Sequence, residues 1–208
     1  AFEFEPSNKY AVALRIDNYS IPGLRLGISG YYGHSIDNSL GREASKEANS
    51  RNLKGAVTIG TFDFTYNAHN WIVRGNFDYG HLGDANDVRL LTGRQTKTSP
   101  FNRDYVGKAA MATGIEAGWD VFSQIQKMRQ DKQKFYVFGH YEYYNSYIPT
   151  SEEPSYPYTK KNRMAFGVNY YPIPQIALKA EYSKRFLKSG YNDEPSISVG
   201  IAYEGFFL

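Results

Sequence analysis

The residues from Met164 to Tyr182 read MAFGVNYYPIPQIALKAEY. Met164, Phe166, Val168 and Tyr170 share one phase of a two-residue period, and Ile176, Leu178, Ala180 and Tyr182 share one phase further on. The alternate positions hold Ala165, Gly167 and Asn169, then Ala177, Lys179 and Glu181. A period of two places each set on one face of a strand. Tyr171-Pro172-Ile173-Pro174 predicts a tight turn between the two, because proline cannot continue a hydrogen-bonded ladder. The stretch is a β-hairpin with bulky apolar residues on one face and glycines and charges on the other. That pattern is unusual for a soluble sandwich and natural for a wall between lipid and water.

Composition bounds the alternatives. The 208 residues suffice for one large domain, and the absence of cysteine excludes disulfides and thiolate metal sites. Aromatic residues make up 16%, with 19 Tyr and 13 Phe, which suits surfaces that are apolar at one end and wet at the other. No run is long and apolar enough for a transmembrane helix. The mean hydropathy of -0.55 still leaves room for a membrane barrel, since half of every barrel strand faces water. No leader-like segment is visible from Ala1, so the chain reads as mature or as a fragment. A net charge of +3 does not argue for nucleic acid, and none is expected as a partner.

The same alternation recurs along the chain. Tyr10 to Asp17 sets Val12, Leu14 and Ile16 against Ala13, Arg15 and Asp17, and Asn18 to Gly23 predicts a turn. Leu24, Leu26 and Ile28 then alternate with Arg25, Gly27 and Ser29. A third strand over Lys54 to Tyr66 has Val57 and Ile59 in one phase and Phe62, Phe64 and Tyr66 in the other, which predicts a bulge near Gly60. Trp71, Val73, Phe77 and Tyr79 oppose Ile72, Arg74, Asn76 and Asp78. Trp71 and Tyr79 lie about 26 Å apart on a strand, at ~3.3 Å per residue, close to the spacing of two interfacial aromatic girdles once the strand is tilted.

Ala109 to Phe122 sets Met111, Ile115, Trp119 and Val121 against Gly114, Glu116, Gly118 and Asp120. Ser123 to Lys134 is a medium connection with room for a helical turn, and Phe135 to Tyr147 is a strand with aromatics on both faces. The last strand sets Ile197, Val199, Ile201 and Tyr203 against Ser198, Gly200 and Glu204.

Polar stretches over about 34–52, 81–107, 148–162 and 186–195 read as long loops. Short or medium and long connections therefore alternate, as in outer-membrane barrels with short periplasmic turns and long external loops. The expectation is an all-β, antiparallel transmembrane β-barrel domain over 1–208 with about nine strands in this chain. With the last strand ending at the periplasm, about nine strands start outside, whereas single-chain bacterial barrels have an even number and both termini inside. The chain thus reads as the C-terminal part of a larger barrel.

GVNYYPIPQIALKAEYSKRF and ISVGIAYEGFF resemble the phosphate-selective porin O/P family and related outer-membrane porins of Gram-negative anaerobes. FYVFGHYEYYNSY, GIEAGWDVFSQI, NWIVRGNFDYGHL and AFEFEPSNKYAVALR are similar to the preceding strands of that group. The resemblance implies trimeric barrels of about 16 strands in the outer membrane, passing small anions or other solutes. The usual terminal aromatic is replaced by Leu208, leaving Phe207 for that role.

No Walker-type loop, HExxH, nucleophile elbow or dinucleotide fingerprint occurs. The glycines at Gly27, Gly30 and Gly33 give room on a crowded face, and His34, His69, His81 and His140 lack ligand spacing, so no metal or cofactor is expected. The charges opposite the apolar face are the candidate pore-lining residues: Arg15, Arg25, Arg74, Asp78, Glu116, Asp120, Lys179 and Glu181. They give either an electrostatic lining that selects ions or a wet interior with cross-strand ion pairs, and the interleaved signs favour the second.

The expected function is a porin embedded in outer-membrane lipid and passing small hydrophilic solutes or anions passively, a homo-oligomer by resemblance and not an enzyme. A structural or adhesive barrel, or a subunit of a surface assembly, is the alternative. A barrel-embedded hydrolase would need His81 or His140 as its base, and a soluble sandwich is the remaining rival.

Overall fold

Nine strands follow one another through the computed structural model: β1 (Val12–Ile21), β2 (Leu24–His34), β3 (Ala56–Ala68), β4 (Trp71–Leu82), β5 (Ala109–Asp120), β6 (Lys134–Ile148), β7 (Lys160–Ile173), β8 (Ile176–Phe186) and β9 (Glu194–Tyr203). The structure describes residues 10–35, 53–92, 106–150, 155–187 and 193–204. Phe207, Leu208 and part of each expected long loop lie outside them. The strands form one antiparallel sheet in sequence order, without a crossover. β1 and β9 are its open edges, and they run in the same direction.

The turns on one edge are short, and each has a local cause. Pro22 and Gly23 join β1 to β2, and Gly23 has φ +79°, the left-handed position after proline that a type II turn needs. His69 and Asn70 join β3 to β4 with φ 54° and 66°, the pair of positive values that makes a two-residue hairpin turn match strand twist. The expected turn at Tyr171–Pro174 is tighter than proposed from sequence. β7 continues through Pro172 to Ile173, with an irregularity in the ladder between Tyr170 and Ile173 that accommodates the proline.

The medium connection holds a 3-10 turn over Val121–Gln124 and a short helix over Gln126–Gln130. On the other edge the connections after β4, β6 and β8 are shorter than their expected bounds, while the one after β2 reaches further, to Ala56. His34 and Leu82 end strands, β7 starts at Lys160 after a 3-10 turn at Pro157–Thr159, and β9 starts at Glu194. A helix over Ala85–Thr92 occupies part of the connection after β4.

Cross-strand pairing carries one phase of the alternation unbroken from β2 to β5. The expected bulge near Gly60 is absent: β3 pairs without interruption from Ala56 to Tyr66 with β2 and from Val57 to Ala68 with β4. Val57 and Ile59 therefore share the face of Asp63 and Thr65. Their apolar side chains have a separate use there, since they line one cleft with Leu82 and Val88, and Val88 of the Ala85–Thr92 helix is only 6% exposed.

The rows also slope. The row beside the first turn, at Leu24, passes through Tyr66, Val73, Ala117, Gly139 and Phe166 to Tyr182, six residues beyond the start of β8 at Ile176. With ~3.3 Å per residue and ~4.8 Å between strands, the strands lean by roughly 35°, within the range found in barrels.

Candidate functional site

Register decides which side chains share a face. Opposed residues of an antiparallel ladder project to the same side, so pairing can be followed from strand to strand. One such line runs Asp17, Gly27, Asp63, Asn76, Gly114, Glu142, Arg163 and Arg185 to Glu194. The adjacent line on the other face runs Asn18, Leu26, Phe64, Gly75, Ile115, Tyr141 and Met164 to Lys184. The sheet has one polar and one apolar face over all nine strands.

The apolar face is the exposed one. Phe166 is 64% exposed and Val199 81%, and Leu14, Ile28, Phe77, Ile115 and Leu178 stand open beside them. Trp71 and Tyr79 are both exposed on it, and Trp71 packs against Trp119 with ring centroids 6.3 Å apart. Phe135 and Tyr170 form an aromatic cluster with Phe122 by the short-turn edge, with Phe122 and Phe135 stacked at 5.3 Å.

Crowding is found on the polar face. Ala165, opposite His140 and Ser183, is wholly buried. β6 is aromatic on both sides because Tyr136, Phe138 and Tyr144 belong to the polar face, where Phe138 lies between Gly118 and Gly167. A methyl group at Gly167 would meet the Phe138 ring and the Ala180 carbonyl oxygen, each at 2.5 Å, so the missing side chain is the space the ring uses.

All eight candidate residues lie in the polar phase, but they do different things. Arg15 and Arg25 each pair with both Asp17 and Asp63, closing a ring of alternating charge. Arg15 reaches Asp17 at 2.8 Å and Asp63 at 3.0 Å, and Arg25 reaches them at 2.9 Å and 2.5 Å. Gly27 lies beneath this ring, and a Cβ there would collide with the Arg15 guanidinium and meet Asp63 Oδ2 at 2.8 Å.

A second network spans β5 to β9. His140 Nε2 lies 3.0 Å from Glu142 and its Nδ1 3.7 Å from Glu116. Arg163 then bridges Glu142 at 3.5 Å and Glu181 at 2.7 Å and donates to the Ser183 hydroxyl, which meets Ser196 at 3.0 Å. Arg185, Lys161 and Glu194 close the line at the far edge.

Asp78 accepts from the Asn76 amide. Among the described residues Arg74 and Lys179 have no carboxylate partner, although Arg74 is directly opposite Glu116 in the ladder. Asp120 differs from the other seven in being buried and fully engaged at one oxygen. It is 6% exposed, and its Oδ1 accepts from the Phe122 and Phe135 amides, so it fastens the β5–β6 connection.

Asp17, Asp63, His140, Glu142, Arg163, Arg185 and Glu194 complete these networks and were not among the candidates. Asp63 sat in a strand of mixed phase, His140 and Glu142 in the strand aromatic on both sides, and Arg163 at the end of an expected loop. The recoverable signal was the opposite charge two residues away, Arg15 with Asp17 and His140 with Glu142, since such neighbours share a face.

Among the described residues no group of His, Asp and Glu side chains converges as a metal site. No helix there is long and apolar enough to cross a membrane. Compared with protein-family models and with curated proteins, the chain matches none.

Proposed function

We propose that the chain forms the wall of an outer-membrane β-barrel porin of a Gram-negative bacterium, through which small hydrophilic solutes and ions diffuse passively. One observation carries the reading: the continuous apolar face is open, and the polar face is crowded with ion pairs. A water-soluble monomer rarely leaves so large an apolar patch exposed. In a bilayer the same face meets lipid, while the charges sit in a wet lumen. Crowding on the polar side is what a sheet curled toward that side produces, and the lean of the strands agrees with closure into a barrel.

The open edges, β1 and β9, are in this reading satisfied by further strands, since an unpaired edge in lipid leaves each backbone group without a partner. The helix over Ala85–Thr92, whose Val88 shares a cleft with Val57 and Ile59 of the polar face, narrows the lumen from the long-loop side. The resemblance to the phosphate-selective porin O/P group points the same way and adds a trimer. The mixed signs of the networks argue for a weakly selective pore.

Reconstitution into planar bilayers tests this. Discrete ohmic steps with weak ion preference are expected. A protein that inserts but never conducts would leave the structural or adhesive barrel as the better reading.

A further inference from the structure

The connection between β5 and β6 carries positive charge that neither network absorbs. From Ser123 to Lys134 it reads SQIQKMRQDKQK, with Asp131 as its one acidic residue. It folds at the short-turn edge, where Arg129, Lys132 and Lys134 line an open groove of about 610 Å3 that Asp131 does not line. Among the described residues none of these three cations is ion-paired. Asp120 also lines the groove, but its Oδ1 is held by the Phe122 and Phe135 amides. Three cations therefore face one carboxylate across the groove, and its charge is net positive.

The rest of the lining limits what fits. Asn67 near the end of β3 and Asn70 in the β3–β4 turn offer amide groups of the kind that pair with a peptide backbone. Tyr136 and Tyr171 meet edge to face at 6.0 Å and give an apolar surface for a side chain. A groove of this size suits a ligand larger than a single inorganic anion. Lys134, Tyr136 and Tyr171 lie on the polar face, away from Phe135 and Tyr170 on the apolar one, so a lipid covering the apolar face does not reach them.

We propose that this groove docks an acidic peptide segment of a partner protein, its carboxylates meeting Arg129, Lys132 and Lys134 and its backbone meeting Asn67 and Asn70. The proposal goes beyond the pore reading and needs no conduction.

The test uses the full chain in detergent micelles and a fluorescein-labelled peptide of Glu and Tyr residues, followed by fluorescence anisotropy. Saturable binding is expected, weakening as salt screens the charges. The double variant Arg129→Glu/Lys132→Glu is expected to weaken it by about tenfold or more, a loss large enough to resolve as an affinity change. The single variants Arg129→Ala and Lys132→Ala are expected to weaken it in the same direction, and Lys108→Glu, by the opposite edge, to leave it unchanged.

Absence of saturable binding, or equal loss with Lys108→Glu, would overturn the proposal. So would displacement of the peptide by inorganic phosphate as readily as by unlabelled peptide, which would mark a simple anion site. Displacement by phosphatidylglycerol vesicles would overturn it in favour of a lipid site.

Discussion

Gly167 shows what a single missing side chain does in this wall. Phe138 can lie on the charged face because the ladder places glycine on each side of it, and its ring takes the room over Gly167. Gly167→Ala would push a methyl against that ring and against a backbone carbonyl that cannot swing away. The cost expected of such overpacking is about 1–3 kcal/mol. Gly139→Ala is the matched control, since its added methyl would find only ordinary contact with Phe166 at 3.5 Å. Urea unfolding of the folded protein in detergent should separate the two variants. Equal loss in both would mean that the ring and the glycine are not coupled. Phe138→Ala should recover part of the Gly167→Ala deficit and not all of it, because the Ala180 carbonyl remains.

At the scale of the element, the hairpin of β7 and β8 sets Met164, Phe166, Val168 and Tyr170 on the exposed face and Gly167, Asn169, Lys179 and Glu181 on the other. Val168 sits mid-strand, so under the membrane reading Val168→Arg puts a charge into hydrocarbon near the midplane, at about 2–4 kcal/mol. Lys at Asn169, in the opposite phase, should be tolerated. Heat-resistant migration in detergent gels reads both, and an unaffected Val168→Arg protein would show that this face does not meet lipid.

This hairpin was legible in sequence because bulky and small residues alternate there without interruption. β3 was not, since Val57 and Ile59 line one cleft with Val88 of a helix 29 or more residues further on, a tertiary arrangement that no local period encodes. β6 was unclear for a related reason: Phe138 is accommodated by glycines on two other strands. The candidate charges lie where the phase is clean; of their partners, Asp63, His140 and Glu142 lie where it is not, while Asp17 lies in the clean phase of β1.

For the whole molecule the balance of charge matters more than any one residue. Arg15, Arg25, Asp17 and Asp63 cancel within a few ångströms, and Arg163 is held between carboxylates. Under the pore reading, Arg74 and Lys179 are the pore-lining candidates left to bias permeation toward anions, since among the described residues no carboxylate pairs with them. Reversal potentials across a salt gradient should move toward cation preference in Arg74→Glu/Lys179→Glu, because inward charge sets the sign of the favoured ion. Removing a neutral pair, as in Arg15→Gln/Asp17→Asn, should destabilise the wall and leave the reversal potential where it was. A shift in the second variant as large as in the first would mean that pairing does not decide which charges permeating ions feel.

The uninterrupted order of the sheet has a kinetic consequence. Each strand pairs only with the strands before and after it in the chain, so eight hairpin contacts close over local spans. Loop-closure entropy grows slowly with length, and sequence-local pairing is the fast kind. The sheet can therefore zip outward from any one hairpin, such as the two-residue turn at His69 and Asn70. Under the barrel reading, the slow event is then the joining of β1 and β9 to the strands that complete them, a seam whose two sides are the most distant of the described strands.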